Sequence, residues 1–137
     1  GGDGGGHRLS LQQFTYSYEP GNDKINGKGR IMYDHDITKK KEGNRCLSAG
    51  TRYCYAGCEV ILWGCDGVYQ DCKTGQCQGN LYYDGNTIKV YDRGFWKGNH
   101  HHDEQLCMTD HKGKVTMEEC KGKDGDKTQQ WQIGDDT

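Results

Sequence analysis

Four short blocks recur in the same order along this 137-residue chain, and that repeat narrows the possible folds more than any other feature. The first copy reads Gly29-Arg-Ile-Met-Tyr-Asp34, Arg45-Cys-Leu-Ser48, Val60-Ile-Leu-Trp-Gly-Cys65 and Thr74-Gly-Gln-Cys-Gln78. The second reads Thr87-Ile-Lys-Val-Tyr-Asp92, Gln105-Leu-Cys-Met-Thr109, Val115-Thr-Met-Glu-Glu-Cys120 and Thr128-Gln-Gln-Trp-Gln132. Each copy has the pattern of a strand, a Cys-bearing strand, an alternating strand ending in Cys, and a Gln-rich strand with a large residue. Asn26-Gly27, Asp66-Gly67, Asp84-Gly85 and Asp124-Gly125 separate the blocks, and such dipeptides suit tight turns because they tolerate positive φ. Val115, Met117 and Glu119 set against Thr116 and Glu118 give a weak period of two, whereas no stretch has a convincing helical period. The expectation is an all-β chain.

Such a chain has little aliphatic mass with which to build a core. Leu, Ile, Val and Phe make up only 18 of 137 residues, yet the net charge of −2 is too small for a disordered composition. Eight Cys, nine Tyr and three Trp supply staples and ring area instead. Cys54 to Cys58 and Cys72 to Cys77 are the nearest approaches to a zinc spacing, and neither is joined to a second pair, so the eight Cys read as disulfides. In both copies the second Cys ends a strand and the first lies beside the previous turn. That predicts bridges Cys46 with Cys65 and Cys107 with Cys120, each worth about 3 kcal/mol in the chain-entropy picture. Cys54, Cys58, Cys72 and Cys77 occur only in the first copy; local pairs 54–58 and 72–77, or crossed pairs between the two loops, both remain open. A disulfide framework implies an oxidising compartment: secreted, cell-surface, or the lumen of the secretory pathway.

Other classes are disfavoured. The longest apolar run, 60–63, falls far short of the roughly 20 residues of a membrane-spanning helix. Residues 1–6 lack the pattern of a secretory signal, so any such signal is expected to have been removed or to lie upstream. A near-neutral balance argues against nucleic acid, and the short basic cluster 39–41 reads as a solvated loop. His100-His101-His102 with Asp103 and Glu104 also reads as a solvated loop, since three consecutive strand residues do not converge on a metal; Asp34-His35-Asp36 reads the same way. With every Cys expected in a bridge and no nucleophile elbow, the chain is read as non-catalytic and without a cofactor. No Asn-x-Ser/Thr acceptor occurs. The nine Tyr exceed what one small core can hide, so some are expected at the surface, where they suit sugar stacking and protein contacts.

The two Cys-bearing blocks, together with Gln129-Gln130-Trp131, resemble the ricin-B-type lectin repeat, including the versions at the C-terminus of polypeptide N-acetylgalactosaminyltransferases. The resemblance implies a disulfide-rich β-trefoil of three repeats, with Gln-x-Trp packing its centre. Gln12-Gln13-Phe14 resembles the end of a preceding repeat, with Phe14 standing where Trp131 stands. On this reading residues 1–8 are a glycine-rich segment and 9–137 the trefoil domain, divided into the end of a first repeat (9–28), a second repeat (29–86) and a third (87–137). The Cys-bearing strands of the first repeat have no counterpart upstream of Gln12. Either the glycine-rich segment is a degenerate substitute or, as the sequence reading favours, a preceding piece of a longer precursor completes the fold. The middle repeat also carries Cys77 where the pattern has Trp, and an insertion between Ser48 and Cys58 brings in Cys54.

A sugar site needs an aromatic ring for the apolar face of the pyranose and a carboxylate or amide for its hydroxyls. The resemblance places these two residues after the first Cys, two before the second Cys, and near the end of the repeat. In the middle repeat those positions hold Ser48, Trp63 and Gly75, with Asp66 beside the second Cys; in the last they hold Thr109 followed by Asp110, Glu118, and Gln129. The candidate carbohydrate contacts are therefore Trp63, Ser48, Asp66, Thr109, Asp110 and Gln129. Each has a plainer role: Trp63 packing on Tyr53 or Tyr55, Asp110 as a turn carboxylate before His111-Lys-Gly, and Gln129 with Trp131 as scaffold. The expected function is a secreted or lumenal lectin module for galactose or N-acetylgalactosamine, with glycans or glycoproteins as partners. The alternatives are an assembly module that has lost its sugar site and binds another chain completing the trefoil, or the lectin tail of a longer glycosyltransferase.

Overall fold

The structure is a computed structural model describing residues 9–20, 28–33, 45–49, 56–65, 81–90, 95–97, 100–102, 105–122 and 124–134. The described residues are mostly β-strand: β1 (Leu9–Leu11), β2 (Phe14–Glu19), β3 (Lys28–Tyr33), β4 (Arg45–Ala49), β5 (Cys58–Gly64), β6 (Tyr82–Tyr83), β7 (Ile88–Lys89), β8 (Phe95–Lys97), β9 (His100–His102), β10 (Leu106–His111), β11 (Lys114–Glu119) and β12 (Trp131–Ile133). Eight of these form one antiparallel sheet in the order β2-β3-β4-β5-β11-β10-β7-β6. β8 pairs with β9 separately, and β1 runs parallel to β12, with Leu9 opposite Trp131 and Leu11 opposite Ile133.

The repeat in the sequence is a repeat in register. Cys46 lies opposite Trp63, two residues before Cys65, as Cys107 lies opposite Glu118, two residues before Cys120. Both expected bridges form, Cys46–Cys65 and Cys107–Cys120, with Cα atoms 5.0 and 4.9 Å apart. Cys58 is also disulfide-bonded, to a residue outside the described ones, where Cys54, Cys72 and Cys77 lie. The two hairpins join directly, Thr116 of β11 pairing with Glu59 of β5.

Period two decides which face is buried. Leu47 and Ala49 of β4, Met108 of β10 and Met117 of β11 turn inward to meet Ile31, Leu81, Ile88, Val90, Trp131 and Ile133. Thr109 and Thr116, on the opposite face, are buried as well, so the weak alternation of β11 reflects a strand covered on both sides. Trp131 anchors the core through its backbone and its ring. Its indole Nε1 donates to the carbonyl of Met108 at 2.8 Å, its backbone N–H donates to Asn86, and its carbonyl accepts from the Tyr83 hydroxyl.

The sheet curls until it is nearly a closed barrel, and the sharpest approach is between β3 and the start of β6. A Cβ on Gly29 would lie 2.2 Å from the carbonyl oxygen of Leu81, so only glycine fits.

Two expectations about local structure change. The Gln-rich block is not one strand: Lys127–Gln129 is a 3-10 turn, capped by Asp126, and the strand begins at Trp131. His100–His102 is a strand paired with β8, not a loop. Asp124-Gly125 does separate the third block from the fourth, with Gly125 at φ 72°, while the β10–β11 hairpin is turned by Lys112 and Gly113 at φ 56° and 89°, the two positive values of a type I′ turn. Asp84-Gly85 does join β6 to β7, with Gly85 at φ 95°. The segments 26–27, 34–36, 39–41, 66–67 and 72–78 lie outside the described residues.

Replacing Gly29 by Ala is expected to cost about 3 kcal/mol or more, because neither neighbour is a flexible side-chain end that can yield. Gly64→Ala, whose Cβ meets nothing within 4 Å, serves as the control and should shift the denaturant midpoint little.

Candidate functional site

The sequence-derived contacts fall into two groups with opposite exposure. Trp63 projects from β5 with 59 % of its surface exposed, the most open large hydrophobic side chain among the described residues. Ser48 lies opposite Ile61, diagonal to Trp63 on the same face of the hairpin, but it is buried and its hydroxyl has no hydrogen-bond partner among the described residues. Asp66, Gly75, Tyr53 and Tyr55 lie outside the described residues.

In the last repeat the same positions form a closed network. Gln129 is fully buried. Its Nε2 donates to Thr109 Oγ1 at 3.1 Å and to the Glu119 carbonyl at 3.0 Å, while its Oε1 accepts from the Lys121 N–H at 3.0 Å. The Thr109 hydroxyl in turn donates a hydrogen bond to the Cys107 carbonyl. Both N–H groups of the buried amide and its oxygen are therefore engaged within the protein, which agrees with the plainer scaffold role that the sequence also offered for Gln129. The 3-10 turn aims the side chain back under the hairpin rather than out along a strand. Asp110 accepts from the Gly113 N–H at 3.1 Å and so acts as the turn carboxylate of its hairpin. Glu118, at the position matching Trp63, accepts from Thr116 Oγ1 at 2.6 Å.

A second place, which no single stretch of sequence points to, lies where the two ends of the sheet face each other. Tyr16, Tyr18, Tyr82, Tyr83, Asp84 and Lys89 line a cleft of about 270 Å³. Tyr16 meets Tyr83 edge-on at 5.9 Å, and Tyr18 meets Tyr82 at 5.7 Å. The spacing of Tyr16 and Tyr18 on one strand places both on one face, a signal the sequence carried. Their partners, more than 60 residues away, were not legible. A wider concavity of about 420 Å³ lies over the β1–β2 turn, lined by Ser10, Leu11, Gln12, Gln13 and Phe14, none of which is charged.

Asp84 organises the rim of the cleft. Its Oδ1 accepts from the N–H groups of Asn86 and Thr87, and its Oδ2 accepts from the Thr87 hydroxyl and faces Lys89 Nζ at 3.5 Å. Burial pushes its pKa up, but the bonds from Thr87 and Asn86, with the charge of Lys89, outweigh that and hold it below the ordinary carboxylate value. Asp126 is also lowered, first by the Thr128 hydroxyl. Among the described residues no group of three His, Cys, Asp or Glu side chains is placed to hold a metal ion.

Gln129→Ala is expected to lower stability by about 3 kcal/mol in chemical denaturation with the disulfides intact, because it strands the Lys121 N–H and the Glu119 carbonyl. Asp84→Ala should cost about 1–2 kcal/mol at neutral pH through the loss of the turn bonds. The folded-state pKa of Asp84 lies below its unfolded value, so that stabilisation is complete above about pH 4 and disappears as the pH falls through the folded value. Wild type and variant should thus converge in stability in acid, and a gap that widened there would contradict the assignment.

No protein-family model, curated protein or solved structure matches this chain.

Proposed function

We propose that this chain is a non-catalytic carbohydrate-binding module of the secreted or lumenal space, built on the β-trefoil plan. The observation that carries the reading is Trp63. An indole with 59 % of its surface in solvent is an unfavourable place to leave so much apolar ring unless something covers it, and a pyranose face is a ligand of matching shape. Trp63 stands two residues before the bridged Cys65, the place at which the lectin repeat carries its stacking aromatic. The sugar proposed from the resemblance is galactose or N-acetylgalactosamine. The bridges and the β architecture agree with an oxidising compartment.

A second reading is favoured by the closed network around Gln129. With Thr109 and Gln129 satisfied internally, the last repeat offers no lectin-type amide, which suits an assembly module whose exposed Trp63 and Leu62 meet another chain. On either reading no chemistry is assigned to the chain itself.

Trp63 separates the two. Galactose or N-acetylgalactosamine should protect an exposed tryptophan from an aqueous fluorescence quencher, and Trp63→Phe should abolish that protection while keeping the wild-type denaturation midpoint within about 0.5 kcal/mol. A glycan array without signal, together with quenching that no monosaccharide alters, would favour the assembly module.

A further inference from the structure

The strands at the two ends of the eight-stranded sheet, β2 and β6, approach across a seam bridged by aromatic rings. The seam is graded in exposure. Tyr82 is buried at its base, Tyr16 and Tyr83 are half-buried, and Tyr18 stands at the mouth with 41 % of its surface in solvent. The Tyr83 hydroxyl is committed to the Trp131 carbonyl, which fixes that ring to the core. The cleft is thus walled by rings whose positions are set by packing and by a backbone bond.

Its polar edge is equally fixed. Asp84 accepts from two backbone N–H groups and the Thr87 hydroxyl and is ion-paired with Lys89, so its carboxylate is engaged on both oxygens. What Asp84 supplies is therefore position: it holds the Lys89 ammonium, at the end of a side chain only 18 % exposed, at the wall of the cleft. An ammonium has three donors, and this one faces Asp84 as an ion pair. The charge of Lys89 is balanced 3.5 Å away, so the site has donors without a net field.

We propose that this seam is a saccharide subsite separate from Trp63, taking one neutral pyranose ring stacked on Tyr18, with Lys89 donating to its oxygens. The ligand class rests on the carbohydrate reading above, but the site does not depend on Trp63. Three observations select that ligand. A ring at the mouth offers an apolar platform, the lysine offers directed donors, and a volume of about 270 Å³ sits at the small end of ligand sites, suiting one ring rather than an oligosaccharide. An anionic ligand gains little from a lysine already neutralised by Asp84, and a purely apolar one would leave the ion pair desolvated.

Titration of the full chain, with isotopically labelled tyrosine rings followed by NMR, tests the proposal. Galactose, N-acetylgalactosamine, glucose and N-acetylglucosamine would each be raised to about 50 mM, well above a millimolar Kd. The expected result is a saturable shift of the Tyr18 and Tyr16 ring signals with at least one sugar. That shift should persist in Trp63→Ala, weaken about tenfold or more in Tyr18→Ala, and weaken several-fold in Lys89→Met. Tyr18 is exposed, so its variant should keep the wild-type thermal midpoint, and that measurement guards against a folding artefact. The proposal is overturned if no tyrosine ring responds to any of the four sugars, if the response vanishes in Trp63→Ala, or if it survives Tyr18→Ala unchanged. Galacturonate binding about tenfold more tightly than galactose would overturn the neutral-ligand assignment. Tyrosine shifts without protection of Trp63 would sink the Trp63 reading and leave this subsite standing.

Discussion

Trp131 is the residue on which the described structure most depends. In a chain with so few branched aliphatics, one indole supplies more buried apolar area than any other single core residue, and here it also satisfies three polar groups. Its ring bonds the middle of β10, its N–H reaches the β6–β7 turn, its carbonyl receives the Tyr83 hydroxyl, and its backbone opens the ladder with β1. Four separate pieces of chain are thereby referred to one residue. Among aliphatic cores that role is spread over many contacts; here its concentration is the direct result of composition.

The same scarcity explains why polar groups are found inside. Gln129 occupies space on the outer face of the β10–β11 hairpin that a leucine would fill elsewhere, and it is tolerated because each of its polar atoms is answered. Ser48, which stands in the other hairpin where Thr109 stands in this one, is buried with a hydroxyl that no described residue answers. Two hairpins of the same register therefore differ in how well their outer faces are completed: one is sealed by an amide, and the other ends in an exposed indole. A binding role fits the second hairpin and a supporting role fits the first.

Much of this was legible in the sequence, and for identifiable reasons. The order of the blocks, the two bridges and the all-β character follow from spacing, and spacing is conserved between copies when register is conserved: Cys46 and Trp63, like Cys107 and Glu118, keep the same offset. The inward turn of Gln129 was not legible as strand geometry, because Asp126 caps a 3-10 turn that rotates the following side chains by a different period. Lys112 at positive φ carries no strong sequence signal, since Asn or Asp more often precedes glycine in such turns. The tyrosine seam was beyond reach altogether: a count of nine Tyr predicts exposed rings but not that Tyr16 and Tyr83 meet, which is set by how far the sheet curls. The curl in turn depends on Gly29, an ordinary strand glycine until the Leu81 carbonyl is seen against it.

The parallel ladder between β1 and β12 has a mechanical meaning. Leu9 and Ile133 lie at opposite ends of a pair of strands that run the same way, bonded from Leu9 to Gln130 and from Gly134 to Leu11. Tension drawing residue 9 and residue 133 apart along the strand axis acts in shear, loading both bonds together instead of opening them one after another like a zip. The strand pair thus resists stretching as a clamp, and force reaching these two strands is borne there before it is felt by the barrel.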